Sequence, residues 1–407
     1  MTDTLDPDPK DRSAWLASYL GMSQFVLVLS WTVYAVFLPD LLASVGIDKR
    51  WSSWVLLADQ VLFACFDIAA GFAADRAFRV FARFAPVVLA TTAVSALAFL
   101  LLPWISGWGG GPVVLLGFTA LWVVTSSALR APLFGLLARH ATKPQAPRLT
   151  AIAMLGMGIA MALSPYLGTL LKELDARLPF ALSSLSLLLV AGALVVAERR
   201  LVPAVVPGAA PSVHRVAVSS LLLAVFLAAS AVQIAAFINA APRYLRDVDP
   251  LWLPWLLPVF WIGFSLALYW RKGFGARADT LRVFVIGCFA GAVGFASTTI
   301  AGLGPAILGF GIAGLGWGLT LGSAFALAAE RGAPNRVATF MGILFAVLAG
   351  AAFLRIGFSL TGWPQQTEWA PYLVVAPPLA AVLAAVTILT AMRLRRLRGS
   401  NDNDWIP

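Results

Sequence analysis

The chain has 407 residues, of which 60% are hydrophobic and only 12% charged, with a mean hydropathy of +0.87 and a formal net charge of +10. A soluble domain carries about 25% charged residues. Half that value excludes an ordinary water-soluble fold and points to an all-α polytopic membrane protein. The bases gather between the apolar runs, which argues for membrane topology and against a nucleic-acid partner.

In hydrocarbon a segment must satisfy its own backbone polar groups, so each apolar run is expected to be a helix. Twelve transmembrane helices are expected, at 18–44, 51–74, 84–104, 112–137, 149–171, 179–197, 217–240, 251–270, 283–301, 305–329, 338–360 and 372–392. Each is long enough to cross a core of about 30 Å at about 1.5 Å per residue. Residues 1–17 begin MTDTLDPDPKDR, which is acidic, proline-broken and lacks the basic n-region of a signal peptide. They read as a cytoplasmic N-terminal tail, disordered at its start. Residues 198–216 hold Pro203, Pro207 and Pro211 and few large side chains, and read as a central cytoplasmic linker. The linker separates a six-helix bundle at 18–197 from a second at 217–392, and 393–407 form a cytoplasmic C-terminal tail.

Charge sets the expected orientation. With both termini in the cytoplasm, 21 of the 29 Lys and Arg residues fall on cytoplasmic segments and 6 on outer loops, leaving Arg130 and Arg355 inside helices. This is the positive-inside pattern, and miscounting one span would destroy it. The excess of Arg over Lys and the Ala-rich helices suit a bacterial inner membrane.

The two halves read as a duplication. Pro39-Asp40 near the end of helix 1 and the Trp51/Trp54 pair opening helix 2 recur as Pro242-Arg243 and the Trp252/Trp255 pair. The stretch LARHATKPQAPRL (137–149) recurs as LAAERGAPNRV (327–337). Parallel six-helix repeats are a transporter architecture with the substrate site between them.

The connection after helix 2 reads GFAADRAFRVFAR (71–83). Gly71 allows close approach of another helix. Asp75 can accept hydrogen bonds from a neighbouring helix N-terminus or an Arg of the other half. The bases anchor the segment at an anionic leaflet. Gly71, Ala74, Asp75, Arg76 and Arg79 resemble the helix 2–3 signature of the major facilitator superfamily, with Ala73, Phe78 and Val80 departing from it. The resemblance implies two pseudo-symmetric six-helix bundles and a cytoplasmic gate of Gly71, Asp75, Arg76 and Arg79. Asp75 would latch the halves when the site faces outward and release when it faces inward. The matching segment of the second half, RKGFGARADTLR (271–282), has bases without that signature.

Charges inside a bilayer are costly and should be paired or wet. Asp67 on helix 2 and Arg130 on helix 4 both lie about 12 Å above the cytoplasmic ends of their helices, so an intradomain pair is expected. Asp59 and Arg355 lie near the outer ends of helices 2 and 11, which the resembled family places face to face. They are expected to bridge the halves and close the outer side when the site faces inward. Asp67–Arg130 is either a structural pair or a proton-coupling pair. Further polar and aromatic candidates for the cavity are Gln24, Trp31 and Tyr34 on helix 1, Ser126 and Ser127 on helix 4, Gln233 and Asn239 on helix 7, and Trp317 on helix 10. Each can equally be an interhelical contact. Helix 5 reads GMGIAMALSPYLG (156–168) and partly resembles the Gly- and Pro-containing motif of the family's exporters, through Gly158, Pro165 and Gly168.

Cys65 and Cys288 lie in apolar runs and read as packing residues. His140 and His214 fall in expected loops and receive no role. No Gly-rich phosphate loop, HExxH or GxSxG occurs, so direct use of ATP, a cofactor, a metal site and enzymatic chemistry are not expected. The expectation is a monomeric, proton-coupled secondary active transporter of a small organic solute, leaning to efflux. The alternative is a non-transporting sensor or assembly factor on the same fold. The charges leave the sign of the cargo open, because two buried Asp formally cancel two buried Arg.

Overall fold

A computed structural model describes residues 9–80, 85–140, 145–198, 217–274, 279–331, 336–366 and 368–401. Among these residues all regular structure is helical. Eleven helices are long and apolar enough to cross a membrane. The twelfth expected span is the helix Arg177–Glu198. The protein is a multi-pass membrane protein built from two six-helix bundles.

The spanning helices are α1 (Pro9–Ser44), α2 (Ser52–Val80), α3 (Ala85–Leu101), α4 (Pro112–Ser126, continued by Ala131–His140), α5 (Ala146–Leu170) and α6 (Arg177–Glu198). The second bundle holds α7 (Val218–Ile234, continued by Ala240–Tyr244), α8 (Pro258–Phe274), α9 (Thr280–Ser297), α10 (Leu303–Arg331), α11 (Val337–Leu360) and α12 (Ala370–Asn401). An even number of crossings puts both chain ends at one face of the membrane, called here the terminal face. The other is the distal face.

Packing repeats between the halves. In the first bundle α1 packs on α5 and α6, and α3 on α4 and α6. In the second, α7 packs on α11 and α12, and α9 on α10 and α12. The Trp pairs mark equivalent places: Trp51, Trp54, Trp252 and Trp255 are all exposed, as interfacial aromatics are. Two seams join the bundles, α2 against α11 and α5 against α8.

Several boundaries differ from expectation. Pro9 opens α1, so helical backbone enters the expected N-terminal tail; proline is well suited to a first helical position, where its missing N–H costs nothing. Pro39 lies inside α1 and does not end it. α2 runs through Val80, so Asp75, Arg76 and Arg79 are helical and not in a loop. Their neighbours are good helix formers, with no Gly or Pro between Gly71 and Pro86 to stop the turn. α9 begins at Thr280, earlier than expected, because Asp279 caps it through the Leu281 amide. α12 extends to Asn401, and its late Arg residues complement the helix dipole. His140 ends a helix. Residues 199–216, with His214, lie outside the described residues. Cys288 is buried, whereas Cys65 is exposed on α2.

Candidate functional site

The α2–α11 seam is close because glycines face backbone across it. A Cβ on Gly71 would collide with the Ala338 carbonyl oxygen and reach within 2.9 Å of Thr339 Cα. A Cβ on Gly342 would collide with the Asp67 carbonyl oxygen. One turn beyond Gly71 and on the same face of α2, Asp75 meets the first turn of α11. Its Oδ1 accepts from the Ala338 amide at 3.1 Å. Its Oδ2 accepts from the Thr339 amide at 2.8 Å and from the Thr339 hydroxyl at 2.7 Å.

The first amides of a helix lack intrahelical acceptors, and Arg336, at the N-cap of α11, supplies none from its side chain. Asp75 therefore caps a helix of the other bundle, where the dipole also favours a negative charge. The carboxylate is only 3% exposed. Arg76 is exposed and makes no hydrogen bond or ion pair with another described residue. The side chain of Arg79 lies outside the described residues.

Next to this contact the bundles are closed. Phe134 of α4 packs at 5.2 Å from Phe325 of α10 and 5.6 Å from Phe345 of α11, centroid to centroid. Towards the distal face Tyr166 of α5 lies 5.1 Å from Trp255, just before α8. Gly158 of α5 lies against Phe264 and Ser265 of α8. Among the described residues α1 and α7 are not among the extensively contacting helix pairs.

Two turns from Asp75 into the membrane, Arg130 Nη2 lies 2.9 Å from Asp67 Oδ2, and Asp67 is fully buried. The guanidinium also sits over the Phe63 ring at 3.9 Å, an added cation–π attraction. α4 is interrupted here. A 3-10 turn at Ser127–Leu129 precedes Arg130, whose φ is −109° and ψ −89°. Pro132 supplies the reason, since it has no N–H and its ring disfavours a continuous helix. Gln24 of α1 donates to the Leu129 carbonyl at 3.3 Å beside the break. Ser126 donates to the Val123 carbonyl, and Ser127 accepts from Arg130 Nη2 at 3.5 Å. Both serines are buried, so Gln24, Ser126 and Ser127 support the broken helix and do not line an open cavity.

The expected Asp59–Arg355 bridge is absent. Asp59, 2% exposed, accepts from the Tyr34 hydroxyl at 2.8 Å. Trp31, Tyr34, Phe63, Phe99 and Trp122 form an aromatic cluster around it, with Tyr34 and Trp122 at 4.9 Å. Arg355 Nε donates to Gln233 of α7 at 2.7 Å, with its guanidinium 4.9 Å from the Phe237 ring. Each charge turns into its own bundle. The physical reason is capture by partners of the same bundle, Tyr34 for Asp59 and Gln233 for Arg355, since α2 and α11 still approach at this depth, where a Cβ on Gly357 would lie 3.8 Å from Leu57.

The two remaining candidates sit inside the second bundle. Asn239 closes a π-helical turn at Ala235–Asn239 and donates to the Leu373 carbonyl at 2.7 Å. That carbonyl is free because Pro377, four residues on, brings no N–H. Asn239 also lines a cavity of about 160 Å³ with Arg243, Arg246 and Thr298. Trp317 is buried and, with residues of α7 and α9, lines a void of about 10 Å³.

One residue was missed by sequence reasoning. Arg243 donates to the Thr298, Ile300 and Gly302 carbonyls, each at 2.7 Å, and to Asp247 at 2.6 Å. It ties the α9–α10 turn to the end of α7. Three of its four partners are backbone carbonyls, which leave no mark in a sequence.

Two bundles joined by paired seams, with a capped gate at one face, match a family model described as Major Facilitator Superfamily over residues 20–355. The chain belongs to the major facilitator superfamily. It is a membrane transporter of that fold. The human organic anion transporter MFSD10 superposes with a TM-score of 0.65 at 15% identity, covering 95% of this chain and 100% of the other. A bacterial homologue of the iron transporter ferroportin, in an outward-facing state, superposes with a TM-score of 0.69 at 13% identity, covering 92% of this chain and 98% of the other. At such identities the likeness is one of fold. No curated protein matches the chain in sequence. Within this superfamily fold, Gly71 and Asp75 lie at the terminal-face contact of α2 with α11, Asp67 and Arg130 lie just above it, and Asp59 and Arg355 lie towards the distal face on opposite sides of the α2–α11 seam.

Proposed function

We propose that the protein is a secondary active transporter that moves a small organic solute by alternating access, with coupling to protons. The observation that carries this reading is the one-sided closure. Asp75 fastens the first turn of α11 at the terminal face, while α1 and α7 are not among the extensively contacting helix pairs. With the terminal face in the cytoplasm, this is an outward-facing state. The charge bias of the loops supports that orientation, and composition supports a bacterial inner membrane. The motif around Gly158, Pro165 and Gly168 supports efflux. The protein is read as a monomer of two bundles, at 18–197 and 217–392, that rock about their shared seams.

Asp67 is the proposed coupling site. It is fully buried and its one cationic partner is Arg130. Protonation of the carboxylate removes the attraction that holds the guanidinium against α2. Arg130 sits at a helix break that borders the gate, so its release can be felt by the α2–α11 seam.

The test uses proteoliposomes with an imposed proton gradient. Asp67→Asn is expected to abolish gradient-driven accumulation while solute exchange continues. Accumulation that survives the substitution removes Asp67 from coupling. A chain that binds solute but never carries it across would be the sensor on this fold.

A further inference from the structure

The sign of the cargo, open in the sequence, becomes readable from how the four buried charges are arranged. Asp67 and Arg130 cancel one another at 2.9 Å. Asp59 is held by the Tyr34 hydroxyl and is almost completely enclosed. Arg355 is left with no carboxylate partner among the described residues. A guanidinium carries five N–H donors. Only Nε of Arg355 is engaged, by the Gln233 amide oxygen, and the residue is half-buried. An uncompensated cation at this depth is costly unless it faces water or an anion.

The surroundings of Arg355 point into the space between the bundles. Gln233 and Phe237 lie one turn apart on the same face of α7. That face touches α11 through Arg355, and α8 through the Phe237–Trp261 contact at 6.2 Å. α8 and α11 both pack on the first bundle, as does α10. A side chain of α7 that reaches both is directed between the bundles, and Phe237 is exposed there. A guanidinium with free, forked donors beside an exposed aromatic ring suits a carboxylate or sulfonate on an apolar body.

We infer that Arg355, oriented by Gln233 and flanked by Phe237, binds the anionic group of the transported solute. The inference rests on the transporter reading and adds the substrate class to it. Gln233 is a positioning residue, which keeps Nε occupied so that the two terminal nitrogens point outward as a fork.

The experiment uses purified full-length protein and four probes with one aromatic body: 2-naphthoate, 2-naphthalenesulfonate, 2-naphthylmethanol and protonated 2-naphthylmethylamine. Binding is read by thermal shift and by tryptophan fluorescence. The two anions are expected to bind more tightly than the alcohol and the amine. Arg355→Gln should weaken the anions roughly tenfold or more, and Arg355→Lys should keep part of that affinity. The ligand-free melting temperature of Arg355→Gln should not fall, since an unpaired cation is removed. A fall would mark a structural role and count against the assignment.

Labelling of the unaltered protein with p-hydroxyphenylglyoxal, mapped by mass spectrometry, needs no variant, and 2-naphthoate should protect Arg355. Anions that bind no better than the amine, no anion binding at millimolar concentration, or no protection would each overturn the assignment. Liposome exchange separates the two readings. Exchange of the amine or alcohol, unaffected by Arg355→Gln, refutes the anion class and leaves transport standing. Anion binding lost in Arg355→Gln, without exchange of any probe, supports the site and refutes transport.

Discussion

Asp75 and Asp279 occupy matching stretches of the two halves, one in the last turns of α2 and one after α8, and both cap a helix. They cap different ones. Asp279 accepts from the Leu281 amide at 3.1 Å and so starts α9, the next helix of its own bundle. Asp75 reaches past its own bundle and caps α11 through three hydrogen bonds. The same side chain, used for the same backbone need, is local in one half and inter-bundle in the other. The duplicated scaffold thus carries an inter-bundle Asp cap on the α2–α11 seam and, among the described residues, no equivalent Asp cap on the α5–α8 seam.

The sharpest way to break this contrast is to keep the first bundle and its latch separate by bulk. Gly71→Val places side-chain carbon where the Ala338 carbonyl stands. The seam cannot then close at the terminal face, and transport in proteoliposomes should become undetectable while the protein still inserts and purifies. Normal flux would mean that this contact is not part of the cycle.

Asp75→Ala should have the next largest effect. Loss of three hydrogen bonds, two from backbone amides to a carboxylate, costs about 3 kcal/mol of the closed state, a population shift of more than about 100-fold. Spin labels on the terminal ends of α4 and α10 should report a longer mean distance, together with at least a tenfold slower flux. An unchanged distance distribution would show that the Phe134–Phe325–Phe345 cluster holds the gate alone.

Asp279→Ala should be the mildest. An N-cap Asp contributes about 1 kcal/mol to its own helix, so the melting temperature should fall by a few degrees with the spin-label distances unaltered. A change in distance as large as that of Asp75→Ala would erase the difference between the two halves.

Much of the fold was legible because the bilayer allows few solutions. The runs of apolar residues, the Trp pairs opening α2 and the segment before α8, and the recurring Pro-rich connections locate the helices and their duplication. Boundaries were less legible. The α2 segment through Arg79 carries charges and looked like a loop, yet charged helix formers continue a helix into water without penalty.

Among candidate residues, depth along a helix could suggest which charges lie level, as with Asp67 and Arg130. It could not say which way each side chain turns. Asp59 and Arg355 lie towards the same face of the membrane, but Tyr34 and Gln233 capture them first. Gln24 and Asn239 read as solute contacts or interhelical contacts, and each donates to a carbonyl of another helix beside a helix break or a proline. Those acceptors belong to backbone, which every residue carries and no sequence pattern marks.

Composition and charge placement by themselves determined a membrane protein of twelve helices in two related halves, because the cost of unsatisfied backbone and of buried charge constrains any chain in lipid. Tertiary structure alone decided that Asp75 caps the far bundle, that the distal Asp and Arg stay apart, and that Arg355 has no carboxylate partner among the described residues. Those outcomes depend on which helices face each other and how far the bundles have rocked, and neither quantity is local along the chain.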